Sequence, residues 1–225
     1  MTQQNVQLET VLQMSGFSFQ YPMREKVLND AGFYLQSGEK VALVGENGAG
    51  KTTLFHLITG LINRQSGELQ CMGKTIESEA DFVLLRQKIG LVFQDPDDQL
   101  FCPSVLEDVM FGPLNQGFSM DEAKRKAMRV LEQLKLGHLS ENMASQLSGG
   151  EKRMVTLASV LVMEPQVLLL DEPTNALDVK AKARLLAVLQ ALPQSMLVIS
   201  HDHEFLTALA DRQISLENGK LQGHL

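Results

Sequence analysis

The sequence lacks the features that place a chain across or outside a membrane. It has no run of 18 apolar residues, so no segment is predicted to span a bilayer. Its first ten residues, MTQQNVQLET, have neither a basic start nor an apolar stretch, so we expect no signal peptide. Its two cysteines, Cys71 and Cys102, are far apart and form no CxxC pair, which argues against a disulfide framework and a zinc site. These absences favour the cytoplasm.

Clustered positive charge is also lacking. The formal net charge is −7 and no group of Lys and Arg stands out, which argues against nucleic acid as the main partner because phosphate backbones require clustered cations. There is no internal repeat, low-complexity tract or long linker. With 225 residues, 44% of them hydrophobic, the chain is long enough for a substantial core in one large domain or two small ones.

The periodicity of apolar residues predicts an α/β fold. The first 40 residues alternate as strands and hairpins do, and Asn218-Gly219 lies between strand-like runs. We predict a mostly parallel central sheet, an N-terminal antiparallel β subdomain and an inserted α-helical subdomain in one domain, 1–225, with its core at about 1–94 and 166–225 and the helical part at about 95–165. Buried strands are predicted at 40–45, 167–171 and 196–200, and helices at 52–62, 120–136, 151–162 and 181–192.

A phosphate-binding loop is the first chemical motif. GENGAGKT (45–52) matches G-x-x-x-x-G-K-[ST] and has a predicted strand before it and a helix after it. Its glycines let backbone N–H groups turn toward a phosphate chain, and the helix N-terminus adds a positive dipole end. Lys51 would supply a charge to the outer phosphates, and Thr52 would offer its hydroxyl to Mg²⁺.

Two carboxylates end the predicted strand in VLLLDEP (167–173). Asp171 is placed to hold Mg²⁺ through the water shell of the ion. Glu172 is placed to act as a general base that polarises an attacking water. Two acids that merely cap a strand end would not explain why they follow a phosphate loop in a parallel-sheet pattern. The two motifs together therefore predict a phosphate site with a residue for Mg²⁺ and a general base.

A third motif identifies a family. LSGGEKR (147–153) places two glycines before a helix whose first turn can bind an anion. It resembles the signature motif of the ATP-binding cassette (ABC) family, and the resemblance covers essentially the whole chain. It implies a P-loop ATPase of ABC type that uses ATP with Mg²⁺. In the family this motif contacts the γ-phosphate of ATP held by another subunit, which implies a dimer with a second copy or a homologous ATPase.

Other residues match the landmarks of the family in their order. Tyr21 matches the ring that stacks on adenine, and Gln94 matches the glutamine that senses Mg²⁺ and the transport partner. Asp178 in NALD matches the acid of the loop that crosses the dimer interface, although Asn175 and Val179 stand where serine and proline are commoner. The resulting catalytic residues are Glu172, His201 (the switch histidine) and Gln94; the Mg²⁺ residues are Thr52, Gln94 and Asp171; and the nucleotide-binding residues are Tyr21, Gly45, Glu46, Asn47, Gly48, Ala49, Gly50, Lys51, Thr52, Thr53, Ser148, Gly149 and Gly150.

An unusually acidic stretch, VFQDPDDQLF (92–101), follows a predicted strand. Asp95 suits a helix N-cap and Pro96 the first helical position, so the stretch predicts a short helix with Asp97 and Asp98 in its first turn. The same two acids suit a surface that pairs with arginines of a membrane partner. We therefore predict that Asp97 and Asp98 are docking residues.

The motif Q-D-P-D-D-Q, followed later by S-H-D-H-E-F, resembles the ATPases of energy-coupling factor importers. The resemblance implies a place at the cytoplasmic face of the cell membrane, docked on an integral membrane scaffold that works with substrate-binding subunits. It is nearest the nickel/cobalt type, with a vitamin importer such as one for biotin as an alternative. A soluble ABC ATPase acting on nucleic acid is a further alternative, which the acidic balance disfavours. Many members carry a C-terminal dimerisation segment, and we expect none after Leu225.

Overall fold

In the computed structural model, residues 9–23 and 25–223 are described. Among these residues, one unit comprises 9–23, 25–86, 193–197 and 210–223, and a second comprises 87–192 and 198–209. The expected lack of a signal peptide rests mainly on residues 1–8, and the expectation about the C-terminal segment rests on Leu225, so both lie outside the described residues. Within them, no helix combines the length and apolar character needed to cross a membrane.

The strands and helices are numbered along the chain. The strands are β1 (Thr10–Gln20), β2 (Lys26–Gln36), β3 (Lys40–Val44), β4 (Ser66–Cys71), β5 (Lys74–Thr75), β6 (Ile89–Val92), β7 (Val167–Asp171), β8 (Ser195–Ile199), β9 (Arg212–Glu217) and β10 (Lys220–Gly223). The helices are α1 (Lys51–Thr59), α2 (Glu79–Arg86), α3 (Val105–Asn115), α4 (Met120–Gln133), α5 (Gly149–Leu161), α6 (Val179–Ala191) and α7 (His203–Leu209). Short 3-10 turns lie at Pro96–Asp98, Gly137–Leu139 and Ala144–Gln146.

The first unit contains the antiparallel sheet that the alternating N-terminal pattern predicts. Its strands lie in the order β2-β1-β4-β5, and Phe17, Leu28 and Leu69 from this sheet are fully buried. A second set of strands has the order β10-β9-β3-β8, with β3 parallel to β9. The turn between β9 and β10 has positive φ at both Asn218 (50°) and Gly219 (74°), as a two-residue hairpin of type I′ requires.

The second unit contains β6 and β7, which pair in parallel, with the end of β8 beside β7. Every residue of β7 is buried, which explains the uninterrupted apolar run VLLL before Asp171. Helices α3, α4 and α5 pack on one another and α6 packs on α7. The mixture of parallel strands, an antiparallel sheet and helices confirms the predicted fold class. The predicted boundaries of the helical subdomain at 95–165 stay a prediction.

The end of α1 differs from the sequence prediction. Apolar spacing predicted a helix over 52–62, whereas α1 ends at Thr59. Gly60 has a left-handed conformation (φ 70°), and its N–H donates to the carbonyl oxygens of the last turn. A Cβ at Gly60 would lie 2.5 Å from the ring of Phe82, so glycine is required here and the helix stops. Leu61 and Ile62 continue the apolar pattern without continuing the helix.

Candidate functional site

The phosphate loop of the first unit joins β3 to α1. Gly48 has φ 80° and Gly50, the residue before α1, has φ 103°. A Cβ at Gly50 would lie 2.2 Å from Cγ1 of Val27, and one at Gly45 would lie 2.6 Å from the carbonyl oxygen of Leu216. Close approach of the loop to neighbouring chain therefore excludes side chains at these two positions. The motif is glycine-rich because its backbone is tightly curled, which is the shape that directs N–H groups toward an anion.

Lys51, the first residue of α1, turns back over this loop. Its ammonium donates to the carbonyl oxygens of Gly45 (2.8 Å) and Glu46 (3.0 Å), and the residue is buried. An ammonium has three N–H donors, so these two bonds hold the charge inside the curl and leave a donor for an anion. Thr52 follows on the exposed side of the helix, where its hydroxyl is accessible. The loop thus concentrates one positive charge and a helix N-terminus at one place.

Tyr21 directly follows β1 and lies against the same helix. Its hydroxyl is 3.3 Å from the hydroxyl of Thr53, and its ring packs edge-on against Phe19 with centroids 4.8 Å apart. This contact brings the tyrosine to the helix that begins at the phosphate loop. Stacking of the ring on adenine stays a prediction.

The carboxylates of the second unit lie at the end of β7. Asp171 is its last residue and is buried. Glu172 has φ 45°, and its N–H donates to the carbonyl oxygen of Ile199, the last residue of β8. One carboxylate oxygen of Glu172 accepts the backbone N–H of His201 at 3.2 Å, and the other lies 3.2 Å from the imidazole Nε2. Glu172 and His201, predicted as catalytic from separate motifs, are therefore in direct contact.

Gln94 lies two residues beyond the end of β6. Its carbonyl oxygen accepts a hydrogen bond from Arg153. The acidic stretch then forms a short helix, of 3-10 type, over Pro96–Asp98, and Asp95 caps it by accepting the N–H of Asp97 at 2.9 Å. The predicted cap and the predicted position of proline are present.

Asp97 has a partner that the sequence did not reveal. Its carboxylate is 2.6 Å from the ammonium of Lys152, and 64% of its side chain is exposed. Asp98 is exposed in the same turn. Lys152 is 55 residues away along the chain and belongs to α5, so neither periodicity nor motif spacing could have indicated the pair.

The signature residues begin α5. Ser148 is the N-cap, and Gly149 and Gly150 lie in the first turn of the helix. The sequence had predicted that both glycines would precede the helix. The hydroxyl of Ser148 donates to a carboxylate oxygen of Glu151 at 2.7 Å, and the two residues complete a capping box that lowers the pKa of Glu151. A Cβ at Gly150 would lie 2.9 Å from that of Ala181. Asp178, predicted at the dimer interface, caps α6 by accepting the N–H of Ala181 at 2.8 Å.

Comparison with known proteins decides the family. Residues 28–175 match the family model described as ABC transporter. The chain belongs to the ABC transporter family. Members of this family hydrolyse ATP, so the chain is the ATPase of a transporter, as the motifs predicted. The roles of its individual residues in binding and hydrolysing ATP stay predictions.

Relatives of the ABC transporter family cover nearly the whole chain. A putative ABC transporter ATP-binding protein of Brucella suis is 52% identical over 87% of this chain and 81% of its own length. The energy-coupling factor transporter ATP-binding protein EcfA of Methanosphaera stadtmanae is 38% identical over 95% of this chain and 78% of its own length. Among solved structures, cbiO1 of Clostridium perfringens, described as part of the ABC transporter complex cbiONQ, is 33% identical with a TM-score of 0.84, covering 95% of this chain and 87% of that one.

Proposed function

We propose that this chain is the ATP-hydrolysing subunit of an energy-coupling factor importer at the cytoplasmic face of the cell membrane. The observation that carries the proposal is the similarity to EcfA of M. stadtmanae over 95% of this chain. The likeness to cbiO1, part of a transporter complex, supports it. Cobalt or nickel ions are the proposed cargo, on the resemblance of the sequence motifs to that type of importer.

In this proposal the nucleotide is held chiefly by the phosphate loop. Backbone N–H groups of residues 45–50 and the N-terminus of α1 bind the phosphates, and Lys51 adds its charge. Tyr21 packs on the adenine ring. The hydrogen bond between Tyr21 and Thr53 supports this role, because it fixes the ring beside the helix that receives the phosphates.

Mg²⁺ fits the oxygen donors that the sequence motifs single out. Thr52 offers a hydroxyl, Gln94 an amide oxygen and Asp171 a buried carboxylate. Mg²⁺ in nucleotide-binding proteins commonly takes one or two carboxylates together with phosphates of the substrate, which matches this set. When bound, the ion neutralises charge on the phosphates. The three residues are therefore proposed to hold it with ATP.

Glu172 is the proposed general base. It takes a proton from the water that attacks the γ-phosphate, and its contacts with the N–H and imidazole of His201 hold the carboxylate in one orientation. His201 is the proposed switch histidine that contacts the γ-phosphate, and Gln94 is the proposed glutamine that senses Mg²⁺ and the transport partner. Ser148, Gly149 and Gly150 contact the ATP of a second ATPase, with Asp178 at that interface, so hydrolysis requires a dimer of this chain with itself or with a homologue.

Docking on the membrane scaffold is proposed to involve Asp97 and Asp98. Both lie on an exposed turn, and the carboxylate of Asp97 already binds a cation, Lys152, at 2.6 Å. An arginine of a partner could form an ion pair with the same carboxylate. Exposed ion pairs are worth only about 0.2–1 kcal/mol each, so the intrachain pair does not prevent exchange with a partner.

Replacing both acids by asparagine separates docking from local stability. Loss of the exposed pair and of charge at the turn should cost about 1–2 kcal/mol, which lowers the Tm by only a few degrees in a chain of this size. Docking should weaken by more than this, because ion pairs that lose water at an interface contribute more than exposed ones. The loss should grow at high salt, since charges that stay exposed are screened over about 8–10 Å. The measurements are retention of membrane partners in a pull-down at two salt concentrations and a thermal melt. Asp121→Asn, in the exposed first turn of α4, is the matched control. Normal retention with a lowered Tm would leave these acids a structural role only.

Purification with its membrane partners tests the function itself. The complex, reconstituted in vesicles with Mg²⁺ and ATP, should take up radioactive cobalt or nickel only when ATP is present on the side of the ATPase. Uptake of biotin without uptake of either ion would assign the chain to a vitamin importer. Co-purification with RNA or ribosomes and no membrane protein would overturn the importer proposal.

A further inference from the structure

Arg153 joins α5, the helix that begins at the signature serine, to the backbone beside Gln94. Its guanidinium donates through Nη1 to the carbonyl oxygen of Phe93 at 2.7 Å and through Nη2 to that of Gln94 at 2.6 Å. Both carbonyls lie beyond the end of β6, where the chain has left its strand. A planar fork with two bonds to successive peptides fixes their orientation as well as their position.

The bonds are buried, which makes the junction rigid. Arg153 is 2% exposed, and burial lowers the pKa of its guanidinium while the carboxylates of Asp95 and Asp171 act in the opposite direction. A charge that has left water is costly to leave without partners, so these two hydrogen bonds are not readily exchanged for solvent. Lysine, with one ammonium at the end of its chain, cannot reproduce the fork.

A second contact, next to the first, is an exposed ion pair that a partner cation can replace. Lys152 pairs with Asp97 at 2.6 Å, with side chains that are 21% and 64% exposed. Successive residues of α5 therefore hold the same segment, 93–98, once through a buried fork and once through an exposed ion pair. A partner cation that binds Asp97 would replace Lys152 in the ion pair, while the two hydrogen bonds of Arg153 stay formed.

The intervening part of α5 is well suited to transmit a displacement. Ser148 is five residues before Arg153, which is about 7–8 Å along a helix. The capping box of Ser148 and Glu151 closes the first turn of this part of the helix. We propose that Arg153 is a positioning residue that couples segment 93–98 to Ser148 and Gly149, so that what binds at Asp97 alters how this helix N-terminus engages ATP across the dimer.

The inference rests on the proposed function, because it assumes that Ser148 and Gly149 contact the ATP of a second ATPase. Its test is a double-mutant cycle measured on dimerisation, in chains that all carry Glu172→Gln to prevent turnover. Asp97→Lys repels Lys152 and perturbs the segment, and Arg153→Lys opens the buried fork while retaining the charge. The dissociation constant of the dimer with Mg²⁺ and ATP is measured by sedimentation for the parent, both single variants and the double variant.

Coupling predicts that the two changes are not additive. Asp97→Lys should weaken the dimer by about tenfold when Arg153 is present and by less than about twofold in the Arg153→Lys chain. Arg184 provides a matched control, since its guanidinium also binds a backbone carbonyl, that of Leu134 at 2.7 Å, away from the segment. In an Arg184→Lys chain the effect of Asp97→Lys should be undiminished.

Either of two results would overturn the coupling. One is an equal effect of Asp97→Lys with and without the arginine, which would leave Arg153 a purely structural role. The other is no effect of Asp97→Lys on dimerisation in the chain that has Arg153. A parent chain that binds ATP without dimerising would overturn the proposed arrangement of the ATP site instead, and is distinguished by having no dimer to perturb. Thermal melts identify variants that lose their fold, and Arg153→Gln replaces Arg153→Lys if that chain does.

Discussion

Glu172→Gln should slow turnover strongly while leaving the protein folded and able to bind ATP. The side chain of Glu172 is 12% exposed, and its two oxygens lie beside the N–H and the imidazole of His201. Glutamine has nearly the same shape, and its amide oxygen can accept the N–H of His201 in place of the carboxylate. What it cannot do is take a proton from water. The substitution therefore changes the chemistry at this position with little change in packing.

The expected size of the two effects is very different. Loss of a general base slows a reaction by about 10²–10⁴, which corresponds to about 3–5 kcal/mol of barrier height. The folded state loses at most the charged character of one hydrogen bond, or about 1 kcal/mol, which is about 2–4 °C in Tm for a chain of this length. A loss of activity beyond a hundredfold with a nearly unchanged Tm would therefore locate the defect in catalysis.

Phosphate release with saturating Mg²⁺ and ATP measures turnover, and a fluorescent ATP analogue measures binding. Glu204→Gln is the matched control, because Glu204 is an exposed carboxylate at the start of α7, three residues after His201. Its activity should stay within about twofold of the parent, as expected for an exposed surface change. Hydrolysis by the Glu172→Gln chain at a rate near that of the parent would refute Glu172 as the base.

Three further predictions use other parts of the structure. Lys51→Ala removes the ammonium held inside the phosphate loop, and it should weaken ATP binding measured with the same analogue; unchanged affinity would remove Lys51 from the site. Ser119→Ala removes the N-cap of α4 and should lower the Tm by about 2–4 °C, the effect of about 1 kcal/mol, in a thermal melt. The ion pair with Lys182 lowers the pKa of Asp202 in the folded state, so its stabilising contribution is complete above the unfolded pKa of about 4 and is lost as the pH falls through the folded value. Urea unfolding of Asp202→Asn should therefore show its destabilisation at pH 6 and a smaller one at pH 3, and equal destabilisation at both would contradict this origin.

The sequence predicted those parts of the molecule in which one short segment determines its own conformation. β7 is four apolar residues followed by Asp171, and it is buried throughout. The phosphate loop is recognisable because its backbone has positive φ at Gly48 and Gly50, a conformation that favours glycine and is therefore visible in the sequence. Asp95 and Pro96 behave in the same way, since a cap and a first-turn proline act on their immediate neighbours. Local chemistry of this kind leaves a pattern that can be read without tertiary information.

Contacts between distant segments left no such pattern. Arg153 binds carbonyl oxygens 59 and 60 residues earlier in the chain, and a carbonyl group is present at every residue, so its acceptors have no sequence signature. The contact of His201 with Glu172 depends on the ends of β7 and β8 lying side by side. The predicted end of α1 was wrong for a related reason. The ring of Phe82, 22 residues further on, makes Gly60 obligatory, and the apolar pattern carries no sign of that contact.

The three acids of residues 95–98 are unequal in what they can offer a partner. Asp95 accepts the N–H of Asp97 and caps the turn, so drawing its carboxylate away would open the local structure. Asp97 can bind a partner cation only by releasing Lys152, which is one residue before the buried fork of Arg153. Asp98 forms no ion pair within the part of the chain that the structure describes, and can be bound without such a cost. In the proposed docking, Asp98 therefore contributes mainly affinity, whereas Asp97 is the acid through which docking reaches α5 and Ser148. The negative charge in this stretch need not oppose ATP binding, since two of its three carboxylates are already engaged within the chain and the third is exposed to solvent.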